Sequence, residues 1–280
     1  RYLIHSIKCV SGKYDDPNEE GDISHFKALA AALSATIGTG NIAGVAGAIA
    51  LGGPGAIFWM WMTAILGIAT KFFTCTLSVM YRGKDSNGDL QGGPMYVIRE
   101  GLPKKFHFLA YFFAVTAMIG CLPILQSNQL IQIIREVIAP EFGVAELTSP
   151  TIFNLVSGLL LASIVAIVVL GGLKRIAHVA ATLVPTMSIL YVGSISVALL
   201  MNLDQVWEAL TLILQDAFTG ESVAGGGLLA MMIYGVQRGA YSNEAGIGTE
   251  SLAHGAAKTK EPIREGLVAM LGPIIDTLLI

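Results

Sequence analysis

The chain has 280 residues, 54% hydrophobic and 13% charged, with a formal net charge of −3. Soluble domains carry about 25% charged residues, so this deficit argues against a soluble globular domain and for a polytopic membrane protein. The slightly negative balance supplies no general basic field for nucleic acid.

Residues 1–25 are polar, with an acidic cluster from Asp15 to Asp22, and read as an interfacial segment. Apolar runs of about 20 residues, each long enough to cross a bilayer, then recur along the chain. The first span is placed at 26–51, and the second follows the Gly52-Gly53-Pro54-Gly55 turn signal, over 54–81. Spans three to five fall at 106–134, 151–173 and 176–203, the last with Pro185 inside it. Span six is placed at 217–236, a polar loop at 237–265, and a seventh span from Gly266. With no initiator Met and an apolar last stretch, PIIDTLLI, the sequence reads as a segment of a longer chain. Cys9, Cys75 and Cys121 form no CxxC pair and read as apolar packers.

Basic residues test this map. Arg82, Lys84, Arg99, Lys104 and Lys105 follow span two, Lys174 and Arg175 follow span four, and Arg238, Lys258, Lys260 and Arg264 follow span six. The alternate loops hold Arg135 beside several acids. Span one therefore runs from the cytoplasm outward, and span six runs back. Lys71 lies within span two, where snorkelling or a local partner accounts for it.

The first span carries LSATIGTGNIAGVAG, whose Gly38-Thr39-Gly40-Asn41 is a poor helix former near mid-span. An unwound stretch at membrane depth is tolerated only against protein or a water-filled cavity. There it exposes carbonyls to a cation and N–H groups to a carboxylate. Close helix packing through Gly40-xxx-Gly44 and Gly47 is the competing explanation. A second interruption, Gly225 to Gly227, falls in span six, five spans later and in the opposite direction. Paired breaks in an inverted repeat are the best sequence pointer to a transporter site. Span three adds Gln126, Ser127, Asn128 and Gln129, with Gln126, Gln129 and Gln132 at successive i, i+3 spacings that put them on one helical face. Interhelical hydrogen bonding accounts for any one of them, whereas the cluster beside two breaks suits a zwitterion. Asp276, in span seven, fits either a structural pair or contact with a coupling ion. No HExxH, GxSxG or P-loop occurs, GTGNIAG misses the dinucleotide fingerprint, and the five histidines show no metal spacing. No enzyme is expected.

Together ALSATIGTGNIAGVAGAIALGGPGAIFWMW, GGPMYVI, QSNQ and RGAYSNEAGIGTESLAHGAAKT resemble the alanine or glycine:cation symporter family, the sodium:alanine carriers of bacteria and archaea. The resemblance covers about 21–276. It implies an all-α, polytopic LeuT-like inverted repeat with discontinuous helices one and six. Residues 26–203 would form the first five-span repeat and 204–280 the start of the second. It implies Na⁺-coupled symport of a small neutral amino acid, alanine or glycine, across the plasma membrane of a prokaryotic cell. An ion-independent exchanger or channel of the same fold, or a fragment that does not transport, is the alternative. The backbone of Gly38, Thr39, Gly40 and Asn41 would take the substrate carboxylate, and Gln126 its polar end. Carbonyls of Gly225, Gly226 and Gly227 would lie near the ammonium, with Leu228 and Met232 walling the methyl pocket. Na⁺ would take carbonyls of Ala35 and Gly38, with the rest of its site beyond this chain. Glu244 would cap short helices or pair with Arg238. The partners implied are the amino acid and the bilayer; the oligomeric state stays open.

Overall fold

The computed structural model describes residues 2–16, 18–86, 88–143, 149–219 and 226–280, with the backbone alone at Thr39, Gly40 and Leu125. Helix α1, Tyr2–Val10, precedes α2, His25–Thr36, whose first turn is capped by the Ser24 hydroxyl accepting from the Lys27 N–H. Two residues, Ile37 and Gly38, separate α2 from α3, Thr39–Gly52, and the two halves meet at 42°. Helix α4, Ala56–Met80, leads to a two-stranded antiparallel ladder, β1 Gly83–Lys84 with β2 Leu90–Gln91, in which Gly83 faces Gln91. This ladder departs from the all-α expectation. Asp85 and Gly88, at φ +86°, turn the chain between two extended pairs too short to disturb the helical architecture.

Helix α5, Pro94–Gly101, is followed by α6, Phe108–Gly120, and α7, Ile124–Ile133, separated by a bend at Cys121 to Pro123. Proline removes a ladder donor and clashes with the preceding turn, which divides the expected third span. Helix α7 continues through a π-helical turn, Ile134–Ile138, into the short α8, Ala139–Glu141. Helices α9, Pro150–Val169, and α10, Gly172–Met201, are long, and Pro185 lies within α10 without ending it. The amphipathic α11 spans Leu203–Thr219, and α12 spans Gly227–Asn243. Helices α13, Glu250–Gly255, α14, Pro262–Ala269, and α15, Leu271–Pro273, lead into a π-helical end, Ile274–Leu279.

Among the described residues three helices, α4, α9 and α10, are long and apolar enough to cross a membrane, and the bent α2–α3 pair makes a fourth. The expected third span is divided at the Cys121 to Pro123 bend, and part of the expected sixth falls outside the described residues. Helix α4 is central and packs against α12, α13 and α14. Bare glycines set the closest approaches: a Cβ at Gly235 would sit 2.5 Å from the Ala56 carbonyl oxygen, and one at Gly266 2.8 Å from that of Phe72. Helix α9 has no buried residue, so its apolar surface faces outward from the core.

The stretch 237–265, expected as a polar loop, holds the end of α12, all of α13 and half of α14. Many of its polar residues, among them Ser242, Asn243, Glu250, Ser251, His254, Thr259 and Glu265, are buried. Glu265, unexposed, accepts from Nδ1 of both His25 and His254, the latter at 2.5 Å. Thr74 Oγ1 donates to Glu250 at 3.0 Å. Arg82 collects backbone carbonyls: Nε donates to Gly255 at 2.6 Å, Nη1 to Thr259 at 2.9 Å and Nη2 to Ala257. Ile23 and Ala257 form a parallel bridge beside them. This end of the molecule ties the start of α2 to α13 and α14. Stranding those carbonyls costs about 1–3 kcal/mol each, so Arg82→Ala is expected to lower stability by about 3 kcal/mol, read as a fall in thermal midpoint of the detergent-purified protein.

Candidate functional site

The helix break builds the site. Ile37 N–H is the last donor of α2, to Leu33 at 2.8 Å, and Gly38 is fully extended at φ −176°. The next helix restarts with Asn41 and Ile42 N–H both donating to the Gly38 carbonyl, at 3.1 and 3.3 Å. The final carbonyls of α2 and the first N–H groups of α3 are therefore without helical partners. Ala35, Thr36, Gly38 and Asn41 from this break line one wall of a cavity of about 340 Å³. Gln126 and Gln129 of α7 form a second wall, as their shared helical face requires. Gln132 points elsewhere and donates to Glu136 at 3.1 Å. The third wall is the C-terminal half of α12, Arg238 and Tyr241, with Glu244.

Of the other expected residues, Leu228 and Met232 lie apart from this cavity, and the rest are placed only in part. Gly225 is outside the described residues. Gly226 caps the start of α12, where a Cβ would meet that of Ala230 at 2.3 Å, and Gly227 opens the helix at φ +64°, so no helix runs through Gly226. Leu228, 39% exposed, and Met232 follow on the first turns of α12, and neither lines the cavity. The backbone of Thr39 and Gly40 forms the first residues of α3.

Thr36 and Tyr241 line the cavity without having been expected in the site, and Arg238, expected as a partner of Glu244, lines it too, spaced i, i+3 from Tyr241 on one face of α12. Arg238 lies along the glycine face of α3: a Cβ at Gly44 would sit 3.5 Å from Nη1, and one at Gly47 3.8 Å from Nη2. The small residues that suggested bare helix packing thus leave room for a guanidinium. Glu244 adopts a left-handed conformation, φ 51°, as the C-cap of α12 and accepts from Thr249 Oγ1 at 3.0 Å. Burial pushes its carboxyl up from the usual carboxylate value. It caps, as expected, and makes no ion pair with Arg238 among the described residues.

Behind the break, Asn41 is 2% exposed and its Nδ2 donates to the Asp276 carbonyl at 2.6 Å. The Asp276 side chain, unexposed, accepts from Thr277 Oγ1 at 2.6 Å through Oδ1, and its Oδ2 lies 3.8 Å from Lys71 Nζ. Asn41 Oδ1 and Asp276 Oδ2 are buried acceptors without a hydrogen-bond donor. Oxygens of this kind are hard donors that suit an alkali cation.

Residues 1–280 match the profile of the sodium:alanine symporter family. The chain belongs to the sodium:alanine symporter family. Its relatives in that family include the sodium/alanine symporter AgcS of Methanococcus maripaludis, 42% identical over 283 residues that cover 99% of this chain and 60% of that protein. The putative sodium/proton-dependent alanine carrier YrbD of Bacillus subtilis is 39% identical, covering 99% and 54%. The probable sodium/glutamine symporter GlnT of the same organism is 38% identical, covering 93% and 52%. This symporter-family chain thus spans between about half and 60% of the length of these relatives.

The Asn41 amide is expected to support the junction between the break and the chain end. Asn41→Ala leaves the Asp276 carbonyl without its donor, which costs about 1–3 kcal/mol, and the fall should appear as a lower midpoint in thermal unfolding.

Proposed function

We propose that this chain forms the substrate-binding part of a secondary active transporter that couples Na⁺ to uptake of a small neutral amino acid, alanine or glycine, across the plasma membrane of a prokaryotic cell. The observation that carries this reading is the double position of Asn41. It lines the cavity between the break and the glutamines, and its amide also holds the backbone of Asp276, whose Oδ2, like Asn41 Oδ1, is a buried acceptor without a hydrogen bond. An amino acid in the cavity and a cation at those oxygens would both order the same stretch of backbone. Each ligand then stabilises the geometry the other needs, and that mutual stabilisation is the coupling free energy of a symporter.

In this reading the amino-acid carboxylate takes the N–H groups of Thr39 and Gly40 that precede the first helical bond, made by Asn41 to Gly38, at the positive end of α3. The Gln126 and Gln129 amides meet the polar end of the zwitterion. Na⁺ is carried cargo, held by Ala35 and Gly38 carbonyls together with Asn41 Oδ1 and Asp276 Oδ2. Gly225 to Gly227, Leu228 and Met232 remain proposed as the second unwound segment and methyl wall. The fold proposed is the LeuT-like inverted repeat, with 1–25 interfacial, 26–203 the first repeat and 204–280 the start of the second. The charge map puts the Arg82 and Glu265 cluster on the cytoplasmic side.

The test is radiolabelled alanine uptake by the intact protein in liposomes, with and without an inward Na⁺ gradient. Uptake should rise with the gradient, and Gln126→Ala should lower alanine affinity by about tenfold, the loss of one well-placed polar contact of about 1.4 kcal/mol. Uptake indifferent to Na⁺ would instead favour an exchanger or channel, and a normal Gln126→Ala would displace the substrate from this cavity.

A further inference from the structure

Lys71 sits in the middle of the apolar α4, 2% exposed, with its ammonium 3.8 Å from the unexposed Asp276 carboxylate. It does not snorkel to a surface. Its path is opened by Gly272 on α15, where a Cβ would come within 3.2 Å of Nζ and 3.5 Å of Cδ. The α4 lysine is thereby delivered to the oxygen of Asp276 that lacks a hydrogen bond, Oδ2, while Thr277 Oγ1 satisfies Oδ1. At 3.8 Å the pair is an ion contact beyond hydrogen-bond distance.

A buried carboxylate is costly without a cation beside it. If Asp276 Oδ2 receives Na⁺ during transport, that carboxylate still needs a counter-charge after Na⁺ has left. We propose that Lys71 is the resident counter-ion of Asp276: its ammonium balances the carboxylate in the unloaded carrier and yields to the entering Na⁺, so that Lys71 sets the Na⁺ affinity. This rests on the Na⁺-coupled reading above. Two positive charges near one carboxylate repel, and the repulsion is strong in a dry site. Lys71 therefore weakens Na⁺ binding relative to a neutral residue at the same place, which favours release, and it keeps the empty site neutral. Lys71 is a positioning residue here, acting through Asp276.

The experiment measures the Na⁺ concentration giving half-maximal alanine uptake for the intact protein in proteoliposomes. Lys71→Met should lower that concentration by about tenfold, within the usual range of coupling between sites. Lys71→Arg, which holds a carboxylate through a fork of donors, should raise it by about threefold. A merely structural lysine would lower the amount of folded protein or the maximal rate while leaving the Na⁺ concentration dependence unchanged, and that result overturns the proposal. Should Lys71→Met fail to accumulate, Lys71→Arg decides alone, by the same reading. Wild-type uptake insensitive to Na⁺ would refute the symport reading itself. A Na⁺-dependent wild type with unaltered Lys71 variants refutes only the role of Lys71.

Discussion

Everything that positions the cavity follows from one constraint: peptide groups removed from water must find partners. The ladder between α2 and α3 stops at Ile37 and Gly38, and the residue just beyond serves a second irregular stretch. The Asn41 side chain reaches across to the Asp276 carbonyl, in another non-α-helical stretch, the π-helical end of the chain. Two irregular segments far apart in sequence thus support each other. A π-helical turn among α-helices frequently marks functional ground, and here it places a carboxylate, a lysine and an amide oxygen within one buried neighbourhood.

Around that junction the molecule divides its labour. The half nearest Arg82 is rigidly cross-linked, through carbonyls gathered by one guanidinium and two imidazoles sharing the Glu265 carboxylate. Seven residues of α2 are buried, consistent with a fixed element. At the opposite end of α4, the Asp216 carboxylate accepts the Gly55 N–H at 2.8 Å, and the Trp59 indole donates to Ala217 at 3.2 Å. The amphipathic α11 is therefore strapped to the first turn of α4.

Much of this was legible in the sequence, and the reasons are specific. The break was visible because two glycines and an asparagine interrupt a charge-free run, a local signal that needs no tertiary knowledge. The shared face of Gln126 and Gln129 follows from helical periodicity alone. The end of α12 was placed too early because Gln237 to Glu244 are polar, and polarity was taken as exposure. In the folded chain much of that polarity is turned inward, against α3, α4 and the cavity. The same shift explains why Arg238 and Tyr241, and not Leu228 and Met232, line the space beside the break. The Lys71–Asp276 contact was invisible for a different reason. Each residue could be flagged as an intramembrane charge, but pairing them required knowing that α4 packs against the last helices.

Of the three cysteines, Cys9 and Cys75 are buried, whereas Cys121 is exposed at the α6–α7 bend. That bend borders a second cavity of about 680 Å³, which shares Ala35, Gln126, Tyr241 and Glu244 with the first. Of the cysteines in this segment, Cys121 alone is exposed, against the expectation that all three pack in apolar surroundings, and it lies beside the space that Gln126 and Tyr241 line. The sulfur there gives a chemical handle on that space: its labelling by reagents of graded bulk reads how wide the bend stands open.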